Sequence, residues 1–270
     1  MASENVVAIQ APAYPPGTRI QPASCETHGE YEQKVYSVLG RDLRSGCPEC
    51  SRIRAEEEET RRQLQESTLL RIRMAEKLGA ALIPKRFAGK TFDQYIAKTA
   101  EQHKALNACR RYAAEFVSIA EAGRCLLLLG KPGTGKTHLA VAIANEIMAT
   151  TTATAVYRTI GSVLQAIRAT YDNTSEKSES QILSSLISPS LLILDEIGVS
   201  KEKPSDFELT TLFAIINGRY EELRPTVIVS NLDAKALANA IGDRCADRLR
   251  EGGVIVIPFE WESQRGKEGF

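Results

Sequence analysis

The chain has 270 residues, 43% hydrophobic and 25% charged, with 34 Lys+Arg against 34 Asp+Glu. That length holds one sizeable core and a small accessory module, and the balanced charge excludes a global positive field, so any nucleic-acid contact must come from a local patch. The first sixteen residues lack the basic start and apolar stretch of a secretory signal, and apolar runs such as 126–129 are too short to cross a bilayer. A cytoplasmic protein with no membrane contact is therefore expected. Six cysteines in a reducing compartment point to metal ligation or free thiols rather than disulfides.

Residues 1–24 carry Pro12, Pro15, Pro16, Gly17 and Pro22 without a hydrophobic period and read as a flexible tail. Residues 25–50 read as a compact unit bounded by two knuckles, Cys25-x-x-His28 and Cys47-x-x-Cys50. Four soft or borderline ligands in two such pairs suit a tetrahedral zinc ribbon, with Gly29 and Gly46 permitting the turns and Pro48 stiffening the second knuckle. Protein fills all four positions, so the zinc is expected to be structural. Cys109, Cys125 and Cys245 fall outside the pattern and read as packing residues or free thiols. Residues 51–84 read as a charged helix and linker: Leu64, Leu69, Ile72 and Leu78 recur at helical spacing, and Glu57 and Glu58 stand four before Arg61 and Arg62. The stretch 79–84 ends it. Between 85 and 270, helical stretches alternate with β-rich runs at 125–129, 155–159, 191–194, 226–230 and 254–258, the pattern of one α/β domain.

Gly130-Lys131-Pro132-Gly133-Thr134-Gly135-Lys136-Thr137 matches G-x-x-x-x-G-K-[ST] between an apolar strand and a helix that runs on through His138 and Leu139. The glycines let backbone N–H groups turn toward phosphates, and the helix start adds a favourable dipole. Candidate nucleotide-binding residues are thus Gly130, Pro132, Gly133, Thr134, Gly135, Lys136, Thr137 and His138, with Lys136 on the β- and γ-phosphates and the Thr137 hydroxyl on Mg²⁺. The apolar run 191–194 delivers Asp195 and Glu196 to the end of a strand, where ligands of parallel sheets bind. Asp195 suits the magnesium shell, and Glu196 suits polarising a water for attack on the γ-phosphate. Asn231, at the end of the run 226–230, can orient that water or sense the phosphate; a helix N-cap or turn role is the alternative.

The segments GKPGTGKTHLA, LLILDEIGV, PTVIVSNL, GDRCADRLR and FEWESQR, in that order, resemble the DnaC/IstB branch of AAA+ ATPases over residues 80–270, closest to the bacterial and phage helicase loaders. The resemblance implies an α/β fold with a five-stranded parallel AAA+ P-loop core, here preceded by the zinc-ribbon module and the charged helix. It also implies ATP binding and hydrolysis, side-by-side self-association, and ATP-dependent binding of single-stranded DNA. An arginine reaching a neighbour's γ-phosphate is matched best by Arg248, with Arg244 next, and Arg265 matches a sensor arginine acting in cis; read from the residues alone, each is a surface ion-pair partner, Arg248 with Asp247 or Glu251 for example. The family's DNA-binding insertion corresponds to residues 161–188, where Arg168, Tyr171 and Lys177 could meet a nucleic-acid strand; an amphipathic helix with Leu164, Ile167 and Tyr171 facing the core is the alternative. Phe92 and Tyr95 match a segment before the core, explained equally by packing or function. The implied activity is loading of a hexameric replicative helicase onto single-stranded DNA, with residues 25–78 gripping the helicase. An IstB-type transposition helper acting on duplex DNA is the alternative, and the Cys/His ribbon and the FEWESQR ending favour the loader. A small-molecule kinase would need an acceptor pocket and lid, neither evident, and the lack of N-K-x-D favours ATP over GTP.

Overall fold

The computed structural model describes residues 16–171, 176–198 and 204–264, the side chain of Leu70 excepted. The chain forms two compact units, Met1–Arg71 and Ile72–Phe270.

In the first unit, β1 (Arg19–Cys25), β2 (Gly29–Val38) and β3 (Arg41–Arg44) form an antiparallel sheet in that order. Arg19 pairs with Val35 and Cys25 with Gly29, so residues 19–24, expected as part of a flexible tail, are a strand. Pro22 misled that expectation. Proline cannot donate to a ladder, but β1 is an edge strand and leaves the missing N–H unneeded. Helix α1 (Pro48–Ala80) opens on a proline, favoured at the first helical position because its N–H would have no partner there. It starts inside the second knuckle, a few residues before the expected 51. Its ion pairs differ from those expected: Arg52 joins Glu49 and Glu56, both at 2.8 Å, and Arg62 reaches forward to Glu66 at 3.9 Å.

The second unit follows the order α2 (Ala100–Ala114), α3 (Phe116–Glu121), β4 (Leu126–Gly130), α4 (Lys136–Thr150), β5 (Ala155–Thr159), α5 (Ile160–Tyr171), α6 (Glu179–Ile187), β6 (Leu191–Ile197), α7 (Asp206–Glu221), β7 (Thr226–Ser230), α8 (Ala234–Ile241), α9 (Asp243–Glu251) and β8 (Ile255–Phe259). Its five strands are parallel, in the order β5-β6-β7-β4-β8. The near-continuous apolar runs of β4, β6 and β7 reflect burial on both faces of a helix-covered sheet. Alternate residues serve opposite layers: Leu126 and Leu128 pack with α2 and α4, while Leu127 and Leu129 pack with residues of α5 to α9. β7 stands between β6 and β4, so the carboxyl ends of the two motif-bearing strands and β7 converge on one edge.

One buried cation ties the second layer together. Arg219 on α7, 1% exposed, donates to Thr226 Oγ1 at 2.9 Å and to the carbonyls of Leu186 (2.8 Å), Ile187 (2.9 Å), Pro189 (2.9 Å) and Pro225 (2.6 Å). Burial lowers its pKa to about 9. The carbonyls at the end of α6 carry partial negative charge that offsets the guanidinium.

Candidate active site and metal centre

The loop between β4 and α4 bends where only glycine fits. At Gly130, φ is +127° and a Cβ would stand 2.3 Å from the Phe259 carbonyl oxygen. At Gly135, φ is +96° and a Cβ would stand 2.5 Å from the Tyr95 ring. Gly135 is the N-cap of α4 and brings no side chain to cap it, which leaves the first N–H groups of a 15-residue helix available to an anion. Lys136, 5% exposed, places its ammonium on the carbonyls of Gly130 (2.7 Å) and Lys131 (2.6 Å) within the loop. Pro132, Gly133, Thr134, Gly135, Lys136, Thr137 and His138 all line one cleft of about 1020 Å³, which the ends of β6 and β7 also reach.

Asp195 is held from three sides. Its Oδ2 accepts from Thr137 Oγ1 and from Tyr157 Oη, both at 2.9 Å, and its Oδ1 accepts from the Glu196 N–H at 2.7 Å. Tyr157, on β5, was not singled out from the sequence. Burial, then the Asp195 charge, pushes its phenol well above the usual range, so it stays a donor. A hydroxyl and a carboxylate in direct contact at the foot of the loop form a hard-oxygen pair that fits Mg²⁺ bound through few protein ligands. Glu196 sits at φ +62° where the register between β6 and β7 slips, which turns its exposed carboxylate into the cleft. A non-glycine residue there costs about 1–3 kcal/mol, a penalty concentrated at functional sites. Asn231 is exposed at the end of β7 and lines the same cleft. Thr137, Asp195, Glu196 and Asn231, drawn from three elements, thus share one cleft.

The remaining expected residues stand as follows. His138 donates from Nε2 to the Thr91 carbonyl at 2.8 Å and meets the Tyr95 ring edge-on, and burial lowers its pKa. Arg248 is bound within its own chain to Asn217 (3.1 Å) and Glu251 (3.1 Å), with its guanidinium over the Tyr220 ring. Arg244 is exposed and stacks on Phe213. Arg265 lies outside the described residues. In the stretch 161–188, Val163 and Ile167 are buried, Leu164 is half-buried, and Tyr171 is exposed rather than facing the core. Tyr171 instead bonds Glu179 at 2.8 Å, while Arg168 lies over the Phe207 ring. Burial raises the thiols of Cys109 to about 12 and Cys245 to about 11, and raises that of Cys125, which suits packing rather than reactivity.

Within the first unit, Cys25, His28, Cys47 and Cys50 converge so that their ligand atoms all lie within 4.8 Å of one another. Cys25 ends β1, His28 sits in the turn before β2, and Cys50 lies in the first turn of α1. The Cys25–Cys50 sulfurs are 3.6 Å apart, and His28 Nδ1 is 3.7, 3.8 and 3.3 Å from the sulfurs of Cys25, Cys47 and Cys50. Tetrahedral zinc with bonds of about 2.0–2.3 Å sets edges of roughly 3.3–3.8 Å, so the donor set fits that ion.

A five-stranded parallel sheet whose phosphate loop, paired carboxylates and polar strand end meet at one edge defines a P-loop nucleotide-binding module of the AAA+ class. The chain belongs to the family described as IstB-like ATP binding protein, which matches residues 54–250. That match begins inside α1, upstream of residue 80 where the motif resemblance starts, and ends before β8. The chain is 35% identical over 195 residues to the replicative helicase loader DnaC of Buchnera aphidicola subsp. Acyrthosiphon pisum, spanning 72% of this chain and 76% of that relative. It is 34% identical over 178 residues to the replicative helicase loader DnaC of Escherichia coli K12, spanning 66% and 69%. Among solved structures, the DnaC helicase loader superposes with a TM-score of 0.58 at 24% identity, covering 66% of this chain and 100% of that one. DnaI gives 0.54 at 22% identity, covering 66% and 94%. Both share the fold. No described helix is long and apolar enough to cross a membrane.

Proposed function

We propose that this protein is an ATP-dependent loader of the hexameric replicative helicase onto single-stranded DNA. The observation that carries this reading is the likeness of its nucleotide-binding unit to replicative helicase loaders over 66–72% of this chain and 69–76% of theirs. In this reading the loop N–H groups and Lys136 hold the β- and γ-phosphates, and Thr137 with Asp195 holds Mg²⁺, which would offset the phosphate charge. Glu196 polarises the attacking water, and Asn231 orients it. Arg248, oriented by Asn217 and Glu251, serves a neighbouring copy's γ-phosphate, with Arg244 as the alternate, and Arg265 serves in cis. Structural zinc held by Cys25, His28, Cys47 and Cys50 shapes residues 25–50, and this module with the helix and linker of 51–84 grips the helicase. The exposed Arg168 and Tyr171 of the 161–188 stretch face the DNA strand.

Co-elution of the full chain with its host's replicative helicase tests the reading. A joint peak is expected with ATP, and Glu196→Gln, binding ATP without turnover, should hold its nucleotide-dependent state indefinitely. No joint peak with ATP or ADP, together with capture of duplex DNA, would move the assignment to the transposition helper.

A further inference from the structure

The phosphate loop is tied from outside by residues of two segments distant from it in the chain. The Thr134 carbonyl accepts two hydrogen bonds, from Tyr95 Oη at 3.2 Å and from Trp261 Nε1 at 3.1 Å. The neighbouring Gly133 carbonyl accepts from the Gln264 N–H at 2.9 Å, and the Lys131 N–H donates to the Phe259 carbonyl at 3.0 Å. One tie therefore comes from the segment before the ATPase core, one from the end of β8, and two from the segment following it. In a trans peptide the carbonyl of one residue and the N–H of the next point in opposite directions. Holding the Gly133 and Thr134 carbonyls toward these segments aims the N–H groups of Thr134 and Gly135 the other way.

We infer that Tyr95 and Trp261 are positioning residues, a two-sided brace on the Thr134 carbonyl that presets the loop N–H groups for polyphosphate and thereby sets nucleotide affinity. The inference rests on the cleft being the nucleotide site. Thr134 is 1% exposed, so water cannot readily replace a lost donor. Tyr95 touches the loop a second time, its ring occupying the space where a side chain at residue 135 would stand. Burial pushes its phenol up to about 12, so it remains a donor at neutral pH. Trp261 is steadied by its ring contact with Phe259, 4.8 Å between centroids, and Phe259 supplies the carbonyl that receives Lys131. Each donor backs up the other, since either alone leaves the carbonyl one partner.

The test uses the full chain with Tyr95→Phe, Trp261→Phe and the double variant, which remove the donors but keep the rings. A fluorescent ADP analogue is titrated, and inorganic tripolyphosphate is then used to displace it. Each single variant should weaken both probes about 3–10-fold, one hydrogen bond's worth. The double variant should lose more than the product of the two, because the carbonyl then has no donor. Thermal midpoints read alongside separate loop geometry from general unfolding, and Tyr95→Phe alone suffices if a tryptophan variant does not fold. Unchanged affinity in the double variant overturns the brace. So does a loss seen with the ADP analogue but not with tripolyphosphate, which would place the rings against the base. Wild-type protein that binds neither probe would overturn the nucleotide-site reading itself.

Discussion

The two units solve the same problem, ordering a chain, by opposite means. Among the described residues of the first, Val35 and Cys47 are the buried apolar side chains, and the three strands carry exposed polar residues on much of both faces. Those side chains cannot offset the conformational entropy of the strands they sit in. The second unit buries whole strand runs between two helical layers, with Leu126, Leu128, Leu191, Leu192, Ile193, Leu194, Val227 and Ile228 at 0% to 1% exposure. One unit gathers four Cys/His side chains in place of an apolar core, and the other is built on apolar area. The difference teaches where each is vulnerable.

The sharpest way to separate them is to strip the zinc proposed for the four Cys/His ligand atoms. Structural zinc contributes on the order of 10 kcal/mol to small modules that bind it. Treatment with a strong chelator, or Cys47→Ser, should abolish hydrogen-exchange protection across β1 to β3 while β4, β6 and β7 keep theirs; protection retained in β1 to β3 would remove the metal from its structural role. In the second unit the largest single loss is expected at Arg219. Arg219→Ala strands several buried carbonyls and should lower unfolding free energy by about 3–5 kcal/mol, read from the urea midpoint. A shift no greater than that of a surface alanine would show those carbonyls satisfied another way. A smaller effect of opposite sign is expected at Glu196→Gly, which relieves the left-handed backbone and should stabilise by about 1 kcal/mol while ATP turnover disappears. Smallest of all is Arg52→Ala. Its two carboxylate partners lie at 2.8 Å, but the side chain is 61% exposed, so the melting midpoint should not move.

What the sequence displays depends on how far apart the partners lie along the chain. The phosphate loop is a local code, eight consecutive residues between a strand and a helix, and the β-rich runs and the two Cys/His knuckles are equally local, while the five-stranded parallel core was implied by the family resemblance. The sheet of the first unit was illegible for a physical reason. Its strands RIQPASC and GEYEQKVYSV have no clean apolar alternation, since no apolar core lies beneath them, and Pro22 argued against a strand that is permitted at an edge. Tyr157 on Asp195 and Tyr95 on Thr134 span 38 and 39 residues, and Trp261 on Thr134 spans 127. No periodicity encodes such contacts; only the closed sheet brings them together. Arg219 was missed differently: a charged residue inside a helix reads as solvated, and its carbonyl partners are backbone, which carries no residue identity.

Trp261 is the single tryptophan of the chain, and its indole N–H is bonded to the loop it braces. Its emission spectrum therefore samples one place. A shift in tryptophan emission on adding nucleotide, excited selectively over the eight tyrosines, should report on the braced loop without a label.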